Sequence, residues 1–315
     1  MNLLNYYSEK SALVKNNGKQ VFGYASSFGQ EPSCTGFNYC HISLIDPQSN
    51  MHCFTVSHQT HCEIVQKYDT LKLKQNDFIY LWIEVSTEGE VLNWRMFKSP
   101  LTLEQINPIH LSCYNFNSLY HLFEIVESIT LPPLKKFMID VLSSTEYMKE
   151  FVSLPASKHH HHSIPGGLLS HSIECALITY QTVISLSTVS KNEAEVAMVA
   201  ALLHDFGKIK TLGVNAHTSL GRLVDHEQLT LMLLTDSLHK LTRSWQQGAE
   251  TLQYLLLWKE AMGVCRFVSG NAIKMADRLS TSASLRSMAF KNKPGYFHFA
   301  ELNIGSKKHY LNRLN

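Results

Sequence analysis

Histidine and aspartate stand side by side at His204 and Asp205, at the end of an apolar run, and His171 lies about one helix earlier. A neutral imidazole and a carboxylate together suit a borderline-to-hard divalent ion such as manganese, iron or zinc. Adjacent residues diverge by about 100° around a helix, so His204 and Asp205 reach one ion only where a helix ends or meets a neighbour. Gly207 permits a tight exit there, and Lys208 follows one turn after His204, where an ammonium could meet a phosphate. The remaining ligand should come from a later helix. Ala272, Ile273, Met275, Ala276 and Leu279 mark such a helix, and Asp277 interrupts its apolar neighbourhood. A carboxylate beside a core stripe is costly unless paired, protonated or metal-bound, which makes Asp277 the candidate. A surface pair with Arg278 or Lys274 is the competing reading.

Helices must position these groups. Pro165, Gly166 and Gly167 form a turn, a helix follows from about Leu168 to Ser185 with His171 in its first turn, and a second runs from Glu193 through Val196, Val199, Ala200 and Leu203. Upstream, Leu119, Leu122, Phe123, Val126 and Ile129 recur at helical spacing. Leu134, Phe137, Met138 and Val141 repeat the pattern beyond Pro132 and Pro133, and a short helix from Thr145 to about Val152 leads into His159, His160, His161 and His162. That histidine run is internal, so it is not a terminal tag, and His159 and His160 read as solvated.

From Gln20 to about Ser99 the period is two rather than 3.6. Val21–Ala25, Phe37–Ile45, Met51–Val56, Phe78–Val85 and Val91–Phe97 read as strands, with a helix near His61–Tyr68 between the third and fourth. That layout predicts a small OB-like barrel, which holds single-stranded nucleic acid through aromatics and a basic groove. Phe37, Tyr39, Phe54 and Trp94 are the candidate stacking rings, or else they fill the barrel. Acidic residues at least match the lysines here, so charge alone would not hold a strand. Cys34, Cys40, His41, His52, Cys53, His58, His61 and Cys62 crowd this region, but their spacing disfavours a structural zinc site.

The expected fold class is therefore α+β: residues 1–107 as the OB-like barrel, 108–286 as an all-helical domain entered through a linker at Pro100–Pro108, and 287–315 as a tail. That tail carries Arg286, Lys291, Lys293, Lys307, Lys308 and Arg313 at or near it, against Glu301 alone, interleaved with Phe290, Tyr296, Phe297, Phe299 and Tyr310. Such a segment suits a nucleic-acid contact or packing against an acidic surface. A net charge of +2 over 315 residues excludes a polyanion binder working by bulk charge. The seven cysteines are odd in number and without a Cys-x-x-Cys pair, which predicts free thiols in a reducing compartment. With no secretion signal and no apolar run of membrane-spanning length, the expected location is cytoplasmic.

His171, the pair His204 and Asp205, and Asp277 resemble the signature of the HD-domain metal-dependent phosphohydrolases. The longer string from His161 and His162 through Pro165, Gly166, Gly167, Leu168 and Leu169 to His171 is similar to the YhaM-type 3′→5′ exoribonucleases, in which an OB domain precedes the HD domain. Related modules occur in relaxase-like proteins of mobile elements. The resemblance implies that His171, His204, Asp205 and Asp277 hold the metal, that Lys208 binds phosphate, that His161 and His162 stand near the scissile group, and that His226 is a further active-site histidine. The implied ion is manganese, with iron, magnesium, zinc or nickel as alternatives. The exonuclease subgroup has paired histidines before its last aspartate, whereas this chain has Leu255, Leu256, Leu257, Trp258, Lys259 and Glu260 there. The expected activity is metal-dependent phosphodiester hydrolysis of single-stranded RNA or DNA, as a 3′→5′ exonuclease. Its alternatives are a small-nucleotide phosphohydrolase and a non-catalytic nucleic-acid-binding accessory of a mobile element. The expected partners are nucleic acid or nucleotide, without a membrane, and a homo-oligomer is compatible with the sequence.

Overall fold

The alternating runs of the first third form one antiparallel sheet in the computed structural model, which describes residues 19–32, 38–46, 49–71, 79–158, 162–213, 216–259, 263–305 and 307–314. Its strands are β1 (Lys19–Pro32), β2 (Asn38–Ile45), β3 (Met51–Val56), β4 (Ile79–Val85) and β5 (Val91–Lys98), and helix α1 (His58–Leu71) lies between β3 and β4. The order is β3-β2-β1-β4-β5. β3 and β5 are the two edges, with no hydrogen-bonded register between them, so the expected barrel is not closed. β1 is far longer than the alternation predicts because it serves two partners: Lys19–Tyr24 pairs with β4 and Tyr24–Pro32 with β2, across a bulge between Ala25 and Ser27.

Interior strand β4, between β1 and β5, is buried along its whole length. Its odd-numbered residues Ile79, Leu81, Ile83 and Val85 join Val21, Ile42, Leu44, Met96 and Ile64 of α1 in one core. Tyr80 and Trp82 point to the other face, where Phe22 stacks on Tyr80 at 5.2 Å and Arg95 lies 5.5 Å over Trp82. Of the four candidate stacking rings, Phe37 lies outside the described residues. Phe54 and Trp94 pack against the sheet core instead of standing free. Cys34 also lies outside the described residues, while the thiols of Cys40 and Cys62 approach opposite ring nitrogens of His58, at 3.7 and 3.6 Å, and so do not converge on one point. The described cysteines are free.

Residues expected to form a linker are largely helical: α2 spans Leu103–Ser112 with Pro108 inside it, and Leu101, Ile106 and Ile109 are buried. Three apolar anchors outweigh one proline, which forfeits a single backbone bond. α2 also carries His110, buried and stacked on Phe22 at 4.4 Å. Burial drives its pKa down to about 3, against a smaller opposing pull from Asp46. Above about pH 6.5 the ring is neutral in folded and unfolded chains alike, so it contributes no pH dependence. Below that value the unfolded chain takes up a proton that the folded one refuses, and stability falls until pH nears 3, by about 3–5 kcal/mol in all. Urea unfolding at pH 7 and 4.5 should show a steep loss in the parent and a much shallower one in His110→Phe. Equal slopes would refute the assignment.

The chain divides into two units, Met1–Leu111 and Ser112–Asn315. The second contains α3 (Phe116–Ser128), α4 (Pro132–Leu142), α5 (Thr145–Ser153), α6 (Gly167–Ile184), α7 (Lys191–Leu203), the short α8 (Lys208–Thr211), α9 (His226–Ser244), α10 (Gln246–Leu257) and α11 (Val268–Phe290). α7 is the centre: every residue from Ala194 to Leu203 is buried, so it is covered on all sides. α6, α10 and α11 pack against it, and α6 also meets α3, α5 and α11. Within the tail, β6 (Phe299–Ile304) and β7 (Lys307–Asn312) form a hairpin whose inner residues Ala300, Leu302 and Leu311 pack on Ala289 and Phe290. Its outer face exposes Phe299 and Tyr310, stacked at 5.8 Å. No described helix is long and apolar enough to cross a membrane.

Candidate metal centre

The Gly-Gly turn sets the start of α6. Gly166 has φ +74°, which a side chain would strain, and its N–H donates to Ser153 O at 2.8 Å. Gly167 is needed for space: a Cβ there would stand 2.1 Å from the carbonyl oxygen of His162. The loop bearing His162 therefore lies directly on the first turn of α6. That helix then presents His171, Glu174 and Cys175 on one face, at the i, i+3 and i+4 spacing that stacks side chains one above another.

α7 ends at His204, its C-cap, and Asp205 occupies the turn beyond. Gly207 is not in a left-handed conformation; its φ is −61°. The expected tight exit is instead a matter of room, since a Cβ would lie 1.9 Å from His226 O and 2.7 Å from Thr230 N. Thr230 Oγ1 accepts the Gly207 N–H at 2.8 Å and donates to His226 O at 2.9 Å, which fixes the start of α9 against the His204–Asp205 turn. From the third direction α11 supplies Asp277 and, one turn on, Ser280.

These elements converge. His171 Nε2 is 3.4 Å from Asp205 Oδ2 and 3.3 Å from Asp277 Oδ1, and His204 Nε2 is 3.4 Å from the same Asp205 oxygen. Donors on a tetrahedron with bonds of about 2.1 Å stand about 3.4 Å apart, so the spacing is that of a divalent-ion site. Cys175 joins His171, His204 and Asp277 in a set whose ligand atoms lie within 4.8 Å of one another. The tautomers suit the same purpose. His204 Nδ1 donates to Ala201 O at 2.7 Å, which leaves Nε2 as a buried lone pair without a hydrogen-bond partner among the described residues. A lone pair facing a carboxylate is repulsive unless a cation lies between them. This buried group of histidines, cysteine and aspartate can hold a metal ion.

Behind His171 runs a chain of hydrogen bonds. Its Nδ1 is 2.9 Å from Ser280 Oγ, and Ser280 donates to Glu174 Oε2 at 2.8 Å. With Nδ1–H donating to Ser280, Nε2 is left to face the two aspartates, the arrangement that orients a metal-binding imidazole. His162 Nε2 reaches the same serine at 3.2 Å and Glu174 at 3.5 Å, while its backbone N–H donates to Ser284 Oγ at 3.0 Å.

The charges are strongly coupled. Burial opposes an imidazolium at His171, but the carboxylates of Asp205 and Asp277 outweigh it and hold its pKa well above the ordinary value. Burial likewise works to raise Asp205, yet His204, Lys208, His171 and His226 pull it well below the usual carboxylate range. Since burial itself keeps His204 neutral by lowering its pKa, Lys208 supplies the permanent charge in that balance. Asp277, for which burial is again overcome by His171 and His204, is brought down to about 2. Burial pushes the Cys175 thiol up.

Of the residues expected at the site, His171, His204, Asp205 and Asp277 share one cluster. Lys208 Nζ donates to Asp205 Oδ2 at 2.7 Å and to Ala156 O at 3.1 Å, so its ammonium is spent on the cluster. His226 Nε2 meets Asp205 Oδ1 at 3.1 Å and Nδ1 meets Glu227 at 3.5 Å. His162 sits behind His171, not on the two aspartates, and His161 lies outside the described residues. Asp277 pairs with His171, in place of the surface pair that was the competing reading. Sequence reasoning missed Cys175, Glu174 and Ser280. Helical spacing from His171 and Asp277 could have found all three, but serine and a lone cysteine carry no ligand signature of their own. Beside the cluster a cleft of about 340 Å³ opens between Ala156–Lys158, Lys208, Thr211, His217 and Asp225–His226.

Residues 117–221 match the model of a family, TraI_2, described as "Putative helicase". The matched stretch contains His162, His171, His204, Asp205 and Lys208 and stops before His226 and Asp277. No curated protein and no solved structure matches the chain.

Proposed function

We propose that the chain is a metal-dependent phosphodiesterase acting on single-stranded nucleic acid, in the manner of the HD-domain enzymes its motifs resemble. The observation that carries this reading is the buried His204 lone pair aimed at Asp205, with His171 at ligand spacing from both that carboxylate and Asp277. His171, His204, Asp205 and Asp277 would hold the ion, with manganese the metal of choice. When bound, it supplies Lewis-acid chemistry: it acidifies a water and offsets charge on phosphoryl oxygens. The chain's own groups do the rest. Lys208 keeps Asp205 ionised, His226 stands on the cleft side of Asp205 where a leaving oxygen can be met by a proton, and Glu174 through Ser280 holds the ring of His171.

Two further features support a nucleic-acid substrate. The sheet order, with α1 between β3 and β4, suits an OB-like unit whose closing ladder is missing. The terminal hairpin offers Phe299 and Tyr310 for base stacking beside Lys308. The helicase label of the matched family is not carried over, because neither Gly18-Lys19 nor Gly207-Lys208 is followed by the serine or threonine of a nucleotide-binding loop. That match, and the absent histidine pair, favour one second reading: a nucleic-acid-binding accessory of a mobile element that cleaves nothing.

A substrate panel separates the readings. End-labelled single-stranded RNA and DNA incubated with manganese should release mononucleotides progressively. Intact oligonucleotides that still bind the protein would support the accessory reading and sink the enzymatic one; turnover of free nucleotides alone would redirect it to a small-molecule phosphohydrolase.

A further inference from the structure

We propose that the cleft beside the cluster contains an anion subsite built on Lys158, which takes a second phosphate group of the substrate; this rests on the phosphodiesterase reading and narrows its substrate to a nucleotide unit flanked by two phosphates. Lys208, Asp225 and His226 on the cleft wall already have partners. Lys208 serves Asp205 and Ala156 O. Asp225 is paired with Lys259 Nζ at 3.2 Å, and His226 lies between Asp205 and Glu227. Lys158 lines the same cleft, and its Nζ is buried without a hydrogen-bond partner among the described residues. An ammonium whose N–H groups have no acceptor is a ready donor to the oxygens of an anion.

Position and size identify the anion. Lys158 is two residues beyond Ala156, whose carbonyl oxygen holds the Lys208 ammonium that in turn holds Asp205. Two residues span at most about 7 Å, so the backbone of Lys158 stays within about one sugar's reach of a segment tied to the cluster. The cleft's 340 Å³ lies near the lower end of the range for small-molecule pockets, about 300–1,000 Å³, enough for a single nucleotide and not for a run of them. A phosphoryl group at the cluster and a neighbouring phosphate at Lys158 satisfy both ends of that space.

Calorimetric titration with nucleoside 3′,5′-bisphosphate and with nucleoside 5′-monophosphate tests the subsite without turnover, since neither contains a phosphodiester bond. The bisphosphate should bind the parent protein about tenfold more tightly, the worth of one charge-assisted hydrogen bond. Lys158→Gln should abolish that advantage and Lys158→Arg should restore it, with thermal melting used to check that both fold. With both ligands titrated in the presence of a chelator, so that the phosphodiester bonds of the strand are not cut, a 5′-phosphorylated trinucleotide binding more tightly than the bisphosphate assigns the subsite to a strand; the reverse order assigns it to a free nucleotide. Equal affinity of the parent for mono- and bisphosphate would overturn the subsite while leaving the proposed hydrolysis intact, whereas absence of hydrolysis in the panel above would remove the reaction and leave the binding difference standing.

Discussion

Asp205→Ala should empty the metal centre. Purified parent protein incubated with manganese and desalted is expected to retain about one ion per chain by elemental analysis, and the variant essentially none. The reason is the number of groups that converge on this carboxylate. One oxygen faces His171, His204 and Lys208, and the other faces His226. Phosphodiester hydrolysis should fall with the metal by about 10³-fold or more. Removing a buried carboxylate also strands the Lys208 ammonium, at a cost of about 3–5 kcal/mol, so loss of fold could mimic loss of metal. Asp205→Asn keeps the shape, and its circular dichroism and melting temperature decide between the two. A folded asparagine variant that still holds manganese at parental affinity would show that the ligand set is wrong.

Glu195→Ala should be strongly destabilising although it lies away from the centre. Glu195 is 1% exposed on α7, yet it is not isolated. Its carboxylate accepts the Thr130 N–H at 3.0 Å, the Leu131 N–H at 3.1 Å and the Thr130 hydroxyl at 2.5 Å, with Lys191 at 3.8 Å. α4 begins immediately afterwards at Pro132, and its N-cap Leu131 has no capping side chain. Glu195 therefore acts as a cap supplied from another helix, with its negative charge at the positive end of the α4 dipole. Truncation leaves three donors unpaired and should cost about 3–5 kcal/mol in urea unfolding. Glu195→Gln should lose less, because one acceptor oxygen remains. A loss below about 1 kcal/mol for the alanine variant would mean that water replaces the carboxylate, and the capping role would be rejected.

Much of this molecule is legible in one dimension because its signals are local. The change of period from two to 3.6, the Pro-Gly-Gly turn and the apolar stripe ending at His204 depend on residues within a few positions of one another. The ends of elements were read less well. β1 runs to Pro32 because pairing with two different strands supports residues whose own alternation does not ask for it. α2 forms across the expected linker because Leu101, Ile106 and Ile109 find a core to enter. Barrel closure was not legible at all, since whether β3 and β5 join depends on sheet curvature rather than on the composition of either strand.

Which residue types are available for a metal, and that they fall on or at the end of separate helices, is readable in one dimension, because histidine, aspartate and glycine have few substitutes in those roles. The sequence by itself does not determine which atoms face which. It takes the packed fold to bind Lys208 to Asp205, to set His162 behind His171 through Ser280 while His226 meets Asp205 directly, to bring Cys175 into the cluster, and to leave the Lys158 Nζ buried without a hydrogen-bond partner among the described residues. The physical reason is range. Helix and strand periodicity are set by neighbours in the chain, whereas the charge balance of a buried site is set by groups brought together from α6, α9, α11 and the end of α7, and that convergence exists only once the helices have packed.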